Sequence, residues 1–134
     1  GEPAKELKGI ASSGEMSRVM LAIKTALADE DEIPVLVFDE IDANVGGKVA
    51  HKVGEKMAWI GEKRQVLCIT HLPQVAAAGD RHYYVSKEVR DGRTYSRINP
   101  IEGKGRVEEI ARMLGGSGDA AVKHAKELLK GGSS

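Results

Sequence analysis

The run Val35-Leu36-Val37-Phe38-Asp39-Glu40-Ile41-Asp42 limits the fold more than any other stretch of this chain. Bulky apolar residues in unbroken succession suit a strand buried on both faces, as in a parallel sheet covered by helices. The run then stops at two carboxylates, and acids seldom lie deep in a core without a partner. Placing Asp39 and Glu40 at the carboxyl end of the strand satisfies both demands, and open α/β sheets bind ligands at that end. There one acid can hold a hydrated metal ion while its neighbour accepts a proton from water. A core strand that simply ends in surface acids is the plainer alternative.

The flanking segments extend this pattern. Residues 1–9 are short, polar and expected to be extended, with Pro3 opposing a helix start. Ser12 and Glu15 have capping-box spacing, which marks Ser12 as the N-cap of a helix. Its apolar face, Met16, Val19, Met20, Ile23 and Leu27, recurs at three- and four-residue steps through about Ala28. An acidic turn, Asp29 to Glu32, and Pro34 lead into the strand. Beyond it, a turn from Ala43 to Gly47 precedes a second amphipathic helix. Val49, Val53, Met57 and Ile60 share one side, and Gly61 is the stop. Gln65 to Thr70 reads as a second buried strand, ending at His71. Strand, helix, strand in this order implies a right-handed crossover between parallel strands. His71 would then emerge at the same sheet end as Asp39 and Glu40.

Pro73 opens a short helix ending near Gly79. His82–Val89 and Arg93–Ile98 flank Asp91-Gly92, a hairpin signal, and their mixed polarity predicts one wet face. Two helices close the chain, Val107–Leu114 before Gly115-Gly116, and Asp119–Leu129. Residues 131–134 read as a flexible tail.

Composition narrows the classes of function. The 134 residues make about one domain with a real core. Lys plus Arg equals Asp plus Glu at 20 each, so no global field calls for nucleic acid or membrane. One Trp and one Phe argue against a base-stacking surface. Arg81, Lys87, Arg90, Arg93 and Arg97 gather round the hairpin, where they could touch phosphates or merely solvate it. The lone Cys68 lies in an apolar run and reads as a buried structural thiol in a reducing compartment. No apolar segment approaches membrane-span length and none has the form of a signal peptide, so a cytoplasmic chain with no membrane partner is expected.

Three positions carry candidate chemistry. Beside Asp39-Glu40 stands His71, which at a strand end could bond a terminal phosphate and a water, or be an ordinary loop histidine. Ser12-Ser13-Gly14 opens a helix, whose free N–H groups and dipole suit an anion. Ser12 could cap that helix and still donate to a phosphate; an ordinary capped helix is the alternative. No G-x-x-x-x-G-K-[ST] phosphate loop occurs, since Gly47-Lys48 is followed by Val49 and Gly103-Lys104 by Gly105. The chain thus has acids, a switch-like histidine and a helix-end donor, but no primary grip on a triphosphate.

Ala11-Ser12-Ser13-Gly14-Glu15-Met16-Ser17-Arg18 resembles the ABC-type signature of SMC-like ATPases. Val35 to Asp42 resembles their Walker B strand, Asp42 to Gly47 their D-loop, and Ile69-Thr70-His71 their switch histidine. The strings Cys68-Ile69-Thr70-His71-Leu72-Pro73-Gln74-Val75-Ala76 and Glu109-Ile110-Ala111-Arg112-Met113-Leu114-Gly115-Gly116 are similar to the RecN family of bacterial DNA repair proteins. This likeness runs from about Gly1 to Lys130. It implies an α/β fold: an incomplete P-loop head lobe of ABC-ATPase type, with parallel strands, flanking helices, a β-hairpin and C-terminal helices. Residues 1–130 would be the C-terminal half of that head, with the Walker A loop in an N-terminal half beyond a long coiled coil.

The same resemblance implies ATP and Mg2+ as cofactors, in a cytoplasmic, nucleoid-associated protein of double-strand break repair and recombination. Implied partners are the N-terminal half of the same head, a second head in an ATP-dependent homodimer, and DNA. By this likeness Asp39 holds magnesium through water, Glu40 polarises the attacking water and His71 senses the γ-phosphate. Ser12, Ser13 and Gly14 would reach the nucleotide on the opposing head, and Asp42 would link the two sites. Ser13 stands where the family reads glycine, and its Cβ narrows the approach to phosphate, so weaker signature engagement is expected.

Rival readings differ at specific residues. A helicase core shares the acid-acid-x-acid pattern of Asp39 to Asp42, but would place Ser-Ala-Thr after the next strand, where Ile69-Thr70-His71 stands. An ABC transporter domain fits less well with Glu15 and with Leu72-Pro73-Gln74. A non-hydrolysing interaction module would bind nucleotide, once joined to its N-terminal half, without turning it over.

Overall fold

Apolar periodicity, punctuated by Pro34, Gly46, Pro73 and Gly92, divides the chain into the elements the structure contains. That structure, a computed structural model, describes residues 12–27 and 33–131. The segments expected over residues 1–9, 29–32 and 132–134 lie outside the described residues. In order come α1 (Ser13–Ala26), β1 (Val35–Phe38), α2 (Gly47–Gly61), β2 (Gln65–Cys68) and α3 (Pro73–Ala78). They are followed by β3 (His82–Arg90), β4 (Arg93–Ile101), α4 (Gly103–Met113) and α5 (Asp119–Gly131).

The expected strand–helix–strand unit is present. β1 and β2 pair in parallel, Val35 opposite Gln65 and Phe38 opposite Cys68, with α2 as the crossover. The ladder continues past both ends, from Gln65 N–H to the Pro34 carbonyl and from Ile69 N–H to that of Phe38, each at 3.0 Å. β3 and β4 form a separate antiparallel hairpin turning at Asp91-Gly92, where both residues have positive φ, 50° and 72°. Such angles suit a glycine and are tolerated by aspartate.

Two apolar clusters hold these elements. In one, Leu36, Phe38 and Ile41 meet Ala50, Val53, Met57 and Ile60 of α2, with Leu21 and Val75 at the margins. In the other, Ala77 packs with Ile110, Ala111 and Ala125 of the closing helices. Helix α3 belongs to both, because Val75 faces the first cluster and Ala77 the second. The α2–α3 approach is so close that Gly54 has no room for a side chain. A Cβ there would lie 2.9 Å from the Ala78 Cβ and 3.1 Å from the Gln74 carbonyl.

Several expectations need correction. β1 is covered on one face only: Leu36 and Phe38 are buried, whereas Val35 and Val37 are exposed. The second strand ends at Cys68, and Leu67 and Ile69 are likewise open to solvent. Helix α1 is turned outward. It buries the narrow strip of Gly14 and Leu21 and leaves Val19, Met20, Ile23 and Leu27 exposed, with Met16 intermediate. In α2, Val49 is exposed and Ala50 and Gly54 join the buried side instead. Helix α4 starts earlier than Val107, because its first turn, Gly103 to Arg106, contains no apolar residue for periodicity to register. Gly131 extends α5 and so is not part of a tail.

The hairpin is wetter than a half-buried ribbon. Its register gathers Tyr83, Val85, Val89 and Ile98 on one face, all exposed. The basic residues do not form one cluster. Arg90, Arg93 and Arg97 share the opposite face with Glu88, which pairs with Arg90 at 2.8 Å and Arg97 at 3.7 Å, while Lys87 lies on the apolar face.

Helix α4 is anchored by a residue the sequence reading passed over. The Arg106 guanidinium donates to the Ala77 carbonyl at 3.2 Å, to Gly79, and to Asp80 at 3.3 Å, capping the end of α3.

Gly54→Ala should lower stability by ~1–3 kcal/mol, because the new methyl meets backbone that cannot swing aside. Gly61→Ala, where nothing lies within 4 Å, should be neutral or mildly stabilising. Urea denaturation of the two variants checks the contrast.

Candidate active site

Parallel pairing of β1 with β2 carries Asp39-Glu40 and Ile69-Thr70-His71 off the same sheet edge. The acid loop beyond β1 is tightly bent. Glu40 and Asn44 both have left-handed backbone angles, φ 55° and 59°, and Ala43 N–H bonds the Glu40 carbonyl at 3.0 Å. Asparagine adopts such angles readily, but at a glutamate the conformation costs about 1–2 kcal/mol. Strain of this kind persists only where surrounding structure enforces it.

Helix α1 supplies that enforcement. The Ser17 hydroxyl donates to the Asp39 carbonyl at 3.0 Å, and Arg18 Nη1 donates to the carbonyls of Ile41 and Ala43 at 3.1 and 3.0 Å. Gly14 is buried against the bend, where a Cβ would lie 2.8 Å from the Glu40 carbonyl oxygen and 2.8 Å from the Ala43 Cβ. Glycine is therefore demanded here by a contact within the chain. The Ser13 hydroxyl donates to Glu40 Oε2. Ser12 completes its capping box: its N–H and hydroxyl donate to Glu15 Oε2 at 2.8 and 2.9 Å, and Glu15 N–H returns a bond at 3.3 Å. The Ser12 bonds hold the Glu15 carboxyl below its ordinary range. Ser12 spends its one hydroxyl proton on Glu15, so a phosphate would have to displace that bond.

Asp42 is set apart from its acidic neighbours. Asp39 and Glu40 are exposed, whereas Asp42 is 1% exposed and the only charged side chain among the buried residues described. Its Oδ2 accepts from the Thr70 hydroxyl, from His71 N–H at 2.9 Å and from Leu72 N–H at 3.2 Å. Burial pushes its pKa up, but the Thr70 and His71 bonds and the nearby imidazole outweigh this and leave it below its ordinary value near 3.8. His71 Nδ1 lies 3.3 Å from the same oxygen, while its side chain as a whole is 72% exposed. Nδ1 is thus the ring nitrogen turned to Asp42, and Nε2 is the one left to meet a ligand.

The structure thus brings Asp39, Glu40, Asp42 and His71 to one rim and adds Ser13 and Gly14 from the same chain. The sequence reading had set the last two against an opposing molecule. It missed Ser17 and Arg18, whose signal lay in polar residues on the side of α1 away from its apolar stripe. Cys68 lies beneath the rim, half-buried, and burial with the charges of Asp42 and Asp39 pushes its thiol up to about 12. It stays protonated and unreactive at neutral pH.

Among the described residues no group of three or more His, Cys, Asp or Glu could hold a metal by itself. An exposed single carboxylate such as Asp39 still suits Mg2+, which is commonly held by one or two carboxylates with waters and phosphate oxygens completing its shell.

The chain is 49% identical over 132 residues to the DNA repair protein RecN of Bacillus subtilis, covering 97% of the chain and 23% of the relative. It is 52% identical over 125 residues to RecN of Xylella fastidiosa, with 93% and 22% covered. It is 49% identical over 132 residues to RecN of Deinococcus radiodurans, with 98% and 23% covered. The chain thus spans less than a quarter of the length of these relatives. No family model matches it. A solved structure from work on ATP-driven dimerization and DNA-stimulated activation of SMC ATPases superposes with a TM-score of 0.57 at 21% identity, covering 88% of this chain and 70% of that one. This chain therefore shares the α/β fold of that structure.

Because Asp42 is stabilised as the anion, its contribution to stability is present above the ordinary carboxyl pKa near 3.8 and is lost as pH falls through its lower folded value. The stability gap between the native chain and Asp42→Asn should therefore be constant at neutral pH and shrink in that acid window. Denaturation curves from about pH 2 to about pH 7, spanning the ordinary carboxyl range, would check the sign.

Proposed function

From the premise that this chain corresponds to a segment of a RecN-type DNA repair protein, we propose that residues 1–130 form the C-terminal half of an SMC-like ATPase head. The head would bind and hydrolyse ATP at a head–head interface during double-strand break repair and recombination, in a cytoplasmic setting. The observation that carries this reading is the shared rim: an exposed acid pair and an imidazole on adjacent parallel strands, tied together by one buried carboxylate.

Phosphoryl transfer needs positioning and charge stabilisation more than covalent chemistry. Glu40 is the general base, its backbone fixed by the bend and by α1. His71 offers Nε2 to the terminal phosphate, and Asp42 holds the ring by Nδ1, acting as a positioning residue. Asp39 is the residue that would hold magnesium, which supplies charge neutralisation on the phosphates. Ser12, Ser13 and the N–H groups beside Gly14 present donors at a helix N-terminus to the nucleotide of a second head.

The exposed apolar surfaces support an N-terminal half as partner. Val35, Val37, Leu67 and Ile69 leave one face of a parallel sheet uncovered, and such sheets are covered on both faces in complete folds. With more than three quarters of the relatives' length outside this chain, the remainder of the same head is the body that would cover it. That remainder would also supply the Walker A loop, so this segment alone should show no appreciable ATPase activity. DNA contact belongs to the whole protein in this reading.

In the full-length protein, Glu40→Gln should keep ATP binding, lose turnover by about a hundredfold or more, and accumulate paired heads. Nucleotide-binding titration, phosphate release and sedimentation measure the three. Full turnover would remove Glu40 from the base's role, and binding with no turnover even in the native full-length protein would favour a non-hydrolysing scaffold.

A further inference from the structure

We propose that Ser13 is a positioning residue that restrains the Glu40 carboxylate within its own head, and that engagement of a phosphate at the start of α1 releases it. This inference rests on the ATPase reading above and concerns the regulation of that same site.

The argument begins with the protons available at the α1 turn. Ser12, Ser13 and Ser17 each own a single hydroxyl proton. That of Ser12 goes to Glu15 and that of Ser17 to the Asp39 carbonyl, both parts of the scaffold. Only Ser13 spends its proton on a candidate reacting group, Glu40 Oε2. Each such bond occupies carboxylate lone pairs and draws the side chain towards α1, at the expense of a water that Glu40 would polarise.

Ser13 and Glu40 are both exposed, so this bond can break and re-form without disturbing the core. The backbone beneath cannot move as freely. Glu40 is held at φ 55° with its carbonyl oxygen against Gly14, leaving rotation of the side chain as the freedom that remains. A phosphate oxygen arriving at the helix N-terminus meets the N–H end of the helix and a favourable dipole. It competes with Glu40 for the Ser13 proton as the more highly charged acceptor. When it wins, Glu40 is free to turn to water. A glycine at this position would have no hydroxyl with which to hold the base.

The test uses the full-length protein at a dilution where most heads are unpaired, with steady-state ATP turnover as the readout. Ser13→Ala removes the proton and keeps the Cβ, and should raise kcat about three- to tenfold with KM for ATP unchanged. Ser13→Thr, which keeps the hydroxyl, should retain the restraint. If Ser13→Ala turns over no faster and only Ser13→Gly gains, the Cβ and not the hydroxyl matters, and the restraint is overturned. A fall in kcat with Ser13→Ala overturns it as well. Glu40→Gln, run alongside, separates the two levels. An active Glu40→Gln protein defeats the ATPase assignment itself, whereas an inactive one with an unresponsive Ser13→Ala defeats only the restraint.

Discussion

A single carboxylate oxygen organises this molecule. Asp42 Oδ2 receives the Thr70 hydroxyl and two successive backbone N–H groups, and the His71 imidazole lies beside it. A buried anion is tolerable only with such a complement of donors. The bonds have a geometric consequence. Short strands diverge as soon as their ladder ends, yet here the chain beyond β1 is tied to the chain beyond β2. Exposed side chains on two separate loops are thereby held in a fixed relation without being buried themselves.

The second organising contact comes from α1, and it explains an arrangement that looks inverted. An isolated amphipathic helix buries its broad apolar stripe. This one buries Gly14 and Leu21 and uses Ser17 and Arg18 to bond carbonyls of the acid loop, leaving its broad stripe to solvent. Within this segment, polar bonds to a strained loop set the orientation of the helix ahead of apolar burial. In the proposed function the open stripe and the open sheet face are the surfaces that the remainder of the head would cover. Folding energy withheld from one segment is available for its assembly with another.

Local features were legible wherever residue type alone decides them. The capping box at Ser12 and Glu15, the turn at Asp91-Gly92, Pro73 at a helix start and the parallel β1–β2 pairing all follow from backbone chemistry or from topology. Burial was not legible in the same way. Periodicity tells which residues share a face but not whether that face meets anything within the chain, as Val37 and Ile23 demonstrate. The polar first turn of α4 and the capping by Arg106 carried no apolar signal at all. At the site, strand order placed Glu40 and His71 on one rim, but only coordinates join Ser13 to Glu40, because that bond crosses 27 residues of sequence.

These observations bear on how a split site can avoid wasteful chemistry. A base that is correctly oriented at all times would act on any water near a bound nucleotide. Here Glu40 sits on a bend whose backbone is enforced by α1, the helix that in the proposed function would also present donors to a phosphate. Any displacement of α1 by an arriving ligand is therefore felt at Glu40 through Gly14, which has no side chain to cushion it. His71 is anchored differently: Asp42 beside it is bonded to the β2 side of the rim, and α1 reaches Asp42 only through the Arg18 bonds to the carbonyls of Ile41 and Ala43. Glu40 and His71 thus have different immediate neighbours: the carboxylate has the Ser13 hydroxyl of α1, the imidazole the Asp42 oxygen. Under the proposed function, this arrangement would let Glu40 respond through Ser13 to what the helix end has bound.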